Sequence, residues 1–427
     1  MLNHLINLNS PHIQAVLPIL LKDQTTKRNI IWATDNYAQY SKWLRDDAYY
    51  DDAAELYSEI SQITIQSLDG LDKNVFQPRA FKTAVAQKQR TKTKAEVFTP
   101  SWLCNEMNNY GDDEWFGRTN VFNKPGNTLH SWIKTRGKIQ FPNTKGKTWQ
   151  DYVYSTRMEI TCGEAPYLVS RYDTTTGKPI DVVRRIGILD RKLRVVNENT
   201  ETYEDWFFWT LNAYRATYGY EYQGDNLLIA RINLLETFRD NKLLRWGDEP
   251  TNDELQQVAN IISWNVWQMD GLTNCVPWNN KLEAAILQRN LLAAQDRLKA
   301  FQSIQFETNV AHNVALLVYL ISYQDYGHQY TPSELLKHWT DEQCLALVSS
   351  FLAQDAGYCV KIDNKQLQRF KKEHAKMTRL FEQRCNEFTS RIDSCLLYQP
   401  QECIIRKWSH SSQNKAQKWT TVTFNEL

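Results

Sequence analysis

Arg157-Met-Glu-Ile-Thr-Cys-Gly-Glu-Ala-Pro-Tyr-Leu-Val-Ser-Arg171 is the stretch whose reading decides the fold. An apolar run ends in Gly163 and small residues follow, which is how a Rossmann-like α/β unit brings backbone close to a nucleotide-like ligand. Around it, Met158–Thr161, Tyr167–Ser170, Ile186–Leu189 and Leu193–Val196 read as short strands punctuated by Gly and Pro, with two helical segments after them. That alternation predicts an α/β domain over residues 96–280. Thr174-Thr-Thr-Gly177 is a turn signal between Val169 and Ile180 and predicts a projecting hairpin.

Working outward, Tyr218-Gly-Tyr-Glu-Tyr-Gln-Gly-Asp-Asn-Leu-Leu-Ile-Ala-Arg-Ile-Asn-Leu-Leu235 reads as a strand ending at Glu221, then a helix. Glu221 lies 58 residues after Gly163, against about 20 in a simple dinucleotide-binding unit, so an insertion holding the 174–177 hairpin is expected between them. Ile261-Ile-Ser-Trp-Asn-Val-Trp-Gln-Met-Asp-Gly-Leu272 reads as a third strand or a helix end, with Asp270-Gly271 also a common turn pair. Upstream, Arg90-Thr-Lys-Thr-Lys-Ala-Glu-Val-Phe-Thr-Pro-Ser-Trp102 leads into helix-forming Leu103–Met107. Thr99 is expected to cap the helix that Pro100 starts, and free N–H groups there suit a carboxylate.

Together, Glu96-Val-Phe-Thr-Pro-Ser101, the Gly163 loop, the Glu221 strand and Asp270 resemble, in order, the cofactor-binding segments of DNA adenine methyltransferases. The resemblance extends from Trp32-Ala-Thr-Asp-Asn-Tyr37 through Asp270, and again from Trp408 to Leu427, to proteins identified as restriction endonuclease or methylase subunit M. It implies a Rossmann-like S-adenosylmethionine-dependent methyltransferase fold with an N-terminal helical region and a helical insertion. Thr99, Gly163, Glu164, Glu221 and Asp270 are then the cofactor contacts, with Glu221 accepting from ribose hydroxyls and Asp270 from the adenine amine. Arg90, Lys92 and Lys94 become phosphate contacts, although a solvated charged segment is the simpler account of residues 77–93. The implied protein is DNA-associated, from a restriction-modification or phage-defence system, with DNA and a second restriction-modification subunit as partners. DNA methyl transfer is the candidate activity.

The Asn-Pro-Pro-Tyr tetrapeptide that such enzymes use on an exocyclic amine is missing. The nearest stretch, Asn274-Cys-Val-Pro-Trp278, has a Pro-aromatic pair without Asn at the right offset, and a Pro-Cys nucleophile for cytosine chemistry is also missing. Two alternatives therefore stay open. Asp181 with Asp190-Arg-Lys192 has the order of a metal-dependent endonuclease, with carboxylates on Mg2+ and Lys192 orienting water. A noncatalytic module that binds DNA or a partner through its helical region, with the cofactor fold kept as scaffold, is the other.

Composition is permissive. The 427 residues carry a net charge of +1 and 12% aromatics, so any DNA contact has to be local and not a global positive field. The eight cysteines show no CxxC pair or metal-type spacing, and no apolar leader precedes them, which suggests reduced thiols in a cytoplasmic protein. No apolar run reaches the roughly 18 residues of a membrane helix, the best being Val314–Ser322, so no membrane partner is expected. Residues 1–95 are expected to form a mostly helical N-terminal region, with a helix over Asp46–Ile63 and a basic segment at its end. Residues 281–400 are expected to form a helical subdomain, with helices at Leu282–Gln302, Asn309–Ser322, Ser333–His338, Asp341–Ala353 and Asn364–Leu397. Residues 401–427 are expected to supply two closing strands, Cys403–Ile405 and Thr420–Phe424.

Overall fold

Three parallel strands organise the α/β part of the chain: β3 (Arg157–Glu159), β4 (Thr217–Glu221) and β5 (Val266–Gln268), paired in the order β3-β4-β5. The computed structural model describes residues 5–34, 57–71, 76–277, 280–302, 364–396, 400–410 and 417–427. Every residue of β4 is buried, as expected for a central parallel strand covered on both faces. Helices α4 (Ile188–Asn199) and α5 (Tyr203–Arg215) connect β3 to β4, and α6 (Gly224–Trp246) and α7 (Asn252–Asn265) connect β4 to β5. The run from Gly224 to Phe238 is buried throughout, which makes α6 a core helix and not an amphipathic surface one.

Helix α4 corrects the sequence reading, because Ile186–Leu189 and Leu193–Val196 are not strands. Leu189, Leu193 and Val196 follow helical spacing and are fully buried. Asp190 closes the start of that helix by accepting from Gly187 N at 3.1 Å and from Ser170 N at 2.8 Å. Tyr167–Ser170 is a turn, and the N–H groups of Tyr167 and Leu168 donate to the Glu159 carboxylate. The insertion between Gly163 and Glu221 holds these two helices and the 174–177 turn, which is closed by the Tyr172–Pro179 bridge and by Asp173 N donating to Lys178 O at 2.8 Å.

The described part of residues 1–95 is less helical than expected. Pro11–Gln14, Leu17–Leu20 and Ile65–Asp69 are about one turn each. Residues 57–63 form no helix, and 46–56 lie outside the described residues. Ile30-Ile-Trp-Ala33 is an extended strap across the carboxyl ends of β4 and β5. Ile31 exchanges two 2.8 Å hydrogen bonds with the Gln268 amide, and Trp32 O accepts from Gly224 N at 2.8 Å. A Cβ on Gly224 would meet Ile31 O at 1.9 Å, so glycine is required where the strap crosses α6. The basic segment ends in an ordered helix, α1 (Ala84–Lys94), followed by α2 (Ser101–Phe116), the hairpin of β1 (Asn123–Pro125) and β2 (Trp132–Lys134), and α3 (Trp149–Tyr154).

The closing strands β6 (Ile404–Trp408) and β7 (Trp419–Thr423) pair with each other as a separate antiparallel ribbon. The ribbon packs on Tyr218, Tyr220, Trp267 and Met269 through Cys403 and Ile405. The described residues within 1–37, 57–278 and 400–427 cluster as one unit, and those within Asn279–Gln399 belong to a second. The described part of the second unit is a pair of packed helices, α8 (Asn280–Gln302) and α9 (Asn364–Leu396). The segments 309–322, 333–338 and 341–353, with Val314–Ser322 among them, lie outside the described residues. Among the described residues no helix is long and apolar enough to cross a membrane.

Candidate functional site

The strands β3 and β4 end in Glu159 and Glu221, and β5 ends in Gln268, so three hydrogen-bonding side chains line the carboxyl edge of the sheet, where open α/β sheets bind their ligands. Past β3 the chain turns sharply at Gly163, which has φ +53°, and its N–H donates to Glu221 Oε2 at 2.8 Å. Glu221 Oε1 accepts from Gln223 N at 3.0 Å. The structure therefore brings together two of the residues singled out in the sequence, 58 positions apart. The ring of Phe98 lies against Gly163, where a Cβ would sit 2.4 Å from Phe98 Cε1.

Beside this contact lies a buried charge cluster. Arg90 pairs with Glu96 at 2.6 Å and with Asp225 at 2.9 Å, Lys82 reaches Asp225 at 3.2 Å, and Arg79 reaches Glu96 at 3.1 Å. Arg90 also donates to Thr34 Oγ1 at 2.7 Å and to Gln223 Oε1 at 2.8 Å, tying the strap to α1 and to the start of α6. Asn226 Nδ2 donates to Glu96 at 3.0 Å, while its Oδ1 is buried with no hydrogen-bond partner. Glu164 accepts from Tyr172 Oη and Arg79 N, both at 2.6 Å. Counting Glu96, Glu164, Glu221 and Asp225 against Arg79, Lys82 and Arg90 gives one carboxylate more than cations. Burial raises Glu164 to about 7 against the hydrogen bonds from Tyr172 and Arg79, and raises Glu221 to about 7 against those from Gln223 and Gly163.

The other sequence-derived candidates have structural work. Thr99 does not cap α2. Pro100 is the N-cap residue, and Asp173 from the 172–179 hairpin accepts from Ser101 N at 2.8 Å. Burial would raise Asp173, but hydrogen bonds from Thr175, Ser101 and Thr176 outweigh it and bring the group down to about 2. Asp270 is half-buried two residues beyond β5 and opens a turn, accepting from Leu272 N at 2.9 Å. Arg90 is buried in the charge cluster and so is not a phosphate contact. Lys94 pairs with Glu59 at 2.6 Å, and Lys92 remains exposed.

The nuclease arrangement does not form. Asp181 is exposed at a single 3-10 turn, whereas Asp190 caps α4 and Lys192 donates from inside α4 to Ser155 O and Ala216 O, at 2.6 and 2.9 Å. Among the described residues no group of three or more His, Cys, Asp or Glu side chains is placed to hold a metal ion. The sequence reading passed over Glu96 as a site residue and did not single out Asp225, Arg79, Lys82 or Asn226. The usable signal was Gly224-Asp-Asn226 directly after the Glu221 strand, because two acid-amide residues in the first turn of a helix face the same edge as the strand end.

Gly163→Ala is expected to cost about 1–3 kcal/mol for the backbone conformation alone, with added cost from overlap on Phe98. Phe98→Ala should recover part of the overlap term, so the two changes should be non-additive in thermal denaturation. An unchanged midpoint for Gly163→Ala would show that Phe98 yields freely. Comparison of the chain with protein-family models, with curated proteins and with solved structures finds no match.

Proposed function

We propose that this is a DNA-associated protein of a restriction-modification or phage-defence system that binds S-adenosylmethionine on a Rossmann-like methyltransferase fold. One observation carries the reading: the Glu96–Ser101, Gly163–Glu164 and Glu221–Asn226 segments, far apart in sequence, converge at the carboxyl edge of a parallel sheet through the Gly163–Glu221 and Glu96–Asn226 hydrogen bonds. The order β3-β4-β5 is also the order of one half of a doubly wound sheet.

The residues present fit the cofactor chemically. S-adenosylmethionine carries a sulfonium and an ammonium against one carboxylate, and the cluster holds two carboxyls, Glu164 and Glu221, raised to about 7, whose ionisation would complement that positive charge. The buried Asn226 Oδ1 is an acceptor with no donor of its own. Glu221 would hold ribose hydroxyls, and ionisation of its raised carboxyl would favour a cationic group bound beside it. When bound, the cofactor supplies an activated methyl group. Asn274–Pro277, the stretch nearest in sequence to the missing tetrapeptide, secures the closing ribbon instead. Asn274 O accepts from Cys403 N at 2.9 Å, and Val276 N donates to Gln401 O at 3.0 Å. Under this reading the groups that polarise a target amine come from a second subunit.

Calorimetric titration of the full chain with S-adenosylmethionine tests the reading. A saturable single-site isotherm is expected, weakened at least about ten-fold, or ~1.4 kcal/mol, by Glu221→Gln, while the variant keeps a cooperative melt. No saturable heat with the folded protein, or an affinity unchanged by Glu221→Gln, would remove the cofactor site.

A further inference from the structure

Between Gly117 and Gln150 the chain has seven Lys or Arg and no Asp or Glu. The whole chain carries +1, so this segment of +7 leaves the other residues at −6, which makes it a local basic segment of the kind that contacts polyanions. Arg118, Lys124, Arg136, Lys138 and Lys145 are all exposed there. The arm is built on the β1–β2 hairpin and held rigidly. Arg194 of α4 donates to Phe122 O and Thr135 O, both at 2.9 Å, and His130 stacks on Trp102 with ring centroids 3.9 Å apart.

A second observation, independent of the cations, lies at the foot of the arm. A cavity of about 140 Å3 is lined by Trp132, Lys134, Arg184, Arg185, Asp190 and Asn241, among others. It is far larger than the ~10–15 Å3 that one water needs. Arg185 Nη1 and Asp190 Oδ1, on side chains at least nine-tenths buried, have no hydrogen-bond partner. Trp132 is fixed by its Nε1 donating to Arg184 O at 3.0 Å. Arg185 Nη1 and Asp190 Oδ1 are closed to solvent, so what the cavity offers a ligand is the Trp132 indole among the Lys134, Arg184 and Arg185 side chains, a cationic surface on which a base can stack.

We propose that the β1–β2 arm is the DNA-contacting surface of this protein, with its exposed cations on backbone phosphates and one unstacked base entering the cavity beside Trp132. The inference rests on the DNA-associated reading above and replaces the α1 strip as the place of contact. It uses no part of the cofactor site, so calorimetry with S-adenosylmethionine scores that site separately.

The test is fluorescence anisotropy of the full chain with a labelled DNA strand and with its duplex, across a salt series. Lys124→Glu/Arg136→Glu/Lys138→Glu should weaken binding at least about thirty-fold and make the slope of log affinity against log salt shallower by about 2.7, or 0.9 for each of three contacts. Lys88→Glu/Lys92→Glu on α1 should change it less than about three-fold. Trp132→Ala should weaken the single strand about five-fold or more, as loss of one base stack does, and Trp132→Phe should restore most of it. Wild-type affinity in the arm variant, or equal losses in the arm and α1 variants, would overturn the surface while leaving DNA association standing. Wild-type protein that binds neither probe would overturn both the surface and DNA association. A Trp132→Ala variant that binds the single strand as wild type does would overturn entry of a base.

Discussion

Arg90→Leu should destabilise the protein by about 3–5 kcal/mol, the usual cost of removing one partner from a buried ion pair. Arg90 is 3% exposed, and its guanidinium contacts Glu96, Asp225, Thr34 and Gln223 together. Its loss leaves Glu96 and Asp225 less compensated at 5% and 0% exposure, and it frees the strap from α1. At about 2–4 °C per kcal/mol for a unit of this size, the melting midpoint should fall roughly 6–20 °C. Adding Glu96→Gln and Asp225→Asn should return much of the loss, since the penalty comes from stranded charge and not from packing. Two positions away, Lys92→Ala should stay within about 0.5 kcal/mol because it is exposed. Thermal melts of the three variants and the wild type decide the matter: an Arg90→Leu midpoint within about 2 °C of wild type would mean that the cluster relaxes onto Lys82 and Arg79.

That contrast shows where the sequence was legible. Arg90, Lys92 and Lys94 look alike in a basic run, and nothing local distinguishes the inward one, because the partner Asp225 lies 135 positions away. Strand β4, the core helix after it and strand β3 were readable from a short apolar run ending in Glu221 and from apolar spacing. Helix α4 was misread because Ile188, Val195 and Val196 are β-branched and came as two short apolar runs, while its real signal was the spacing of Leu189, Leu193 and Val196 around an inward Asp190 and Lys192. Asp190-Arg-Lys192 suggested metal chemistry, yet the same residues are a helix cap and two buried cations bonded to carbonyls and carboxylates of other segments. The strap failed as a helix for a related reason. Its backbone hydrogen bonds go to Leu21, Glu59, Ser61 and Ile63, and to Gln268 and Gly224 more than 190 residues downstream, and no propensity argument sees them. The Gly163–Glu221 contact was anticipated as two residues of one site. The direct hydrogen bond between them was not, because it depends on the positive φ at Gly163.

Stability should fall as pH rises from about 4.5 to about 7, with Glu164 and Glu221 contributing to that slope beside Glu159, whose carboxyl burial pushes well above its ordinary value. Glu164 and Glu221 are each raised by burial from 4.5 to about 7 in the folded chain. A carboxyl whose folded pKa lies above its unfolded one favours the fold fully below the unfolded value, and the contribution is lost as pH passes through the folded value. At 1.36 kcal/mol per pKa unit Glu164 and Glu221 each give up about 3 kcal/mol across that window. Asp173 runs the other way, since its contribution is complete above 3.8 and is lost only as pH falls toward 2, so it leaves the window untouched. Denaturant titrations at pH 5 and pH 8 should therefore show wild type markedly less stable at pH 8, with Glu221→Gln and Glu164→Gln each removing part of the difference. Variant curves parallel to wild type would place the pH dependence elsewhere. The same ionisation links stability to the proposed ligand. A cationic cofactor beside Glu221 favours its charged form, so binding at pH 7 should release a fraction of a proton, seen as a titration heat that changes with the ionisation enthalpy of the buffer, and Glu221→Gln should reduce that dependence.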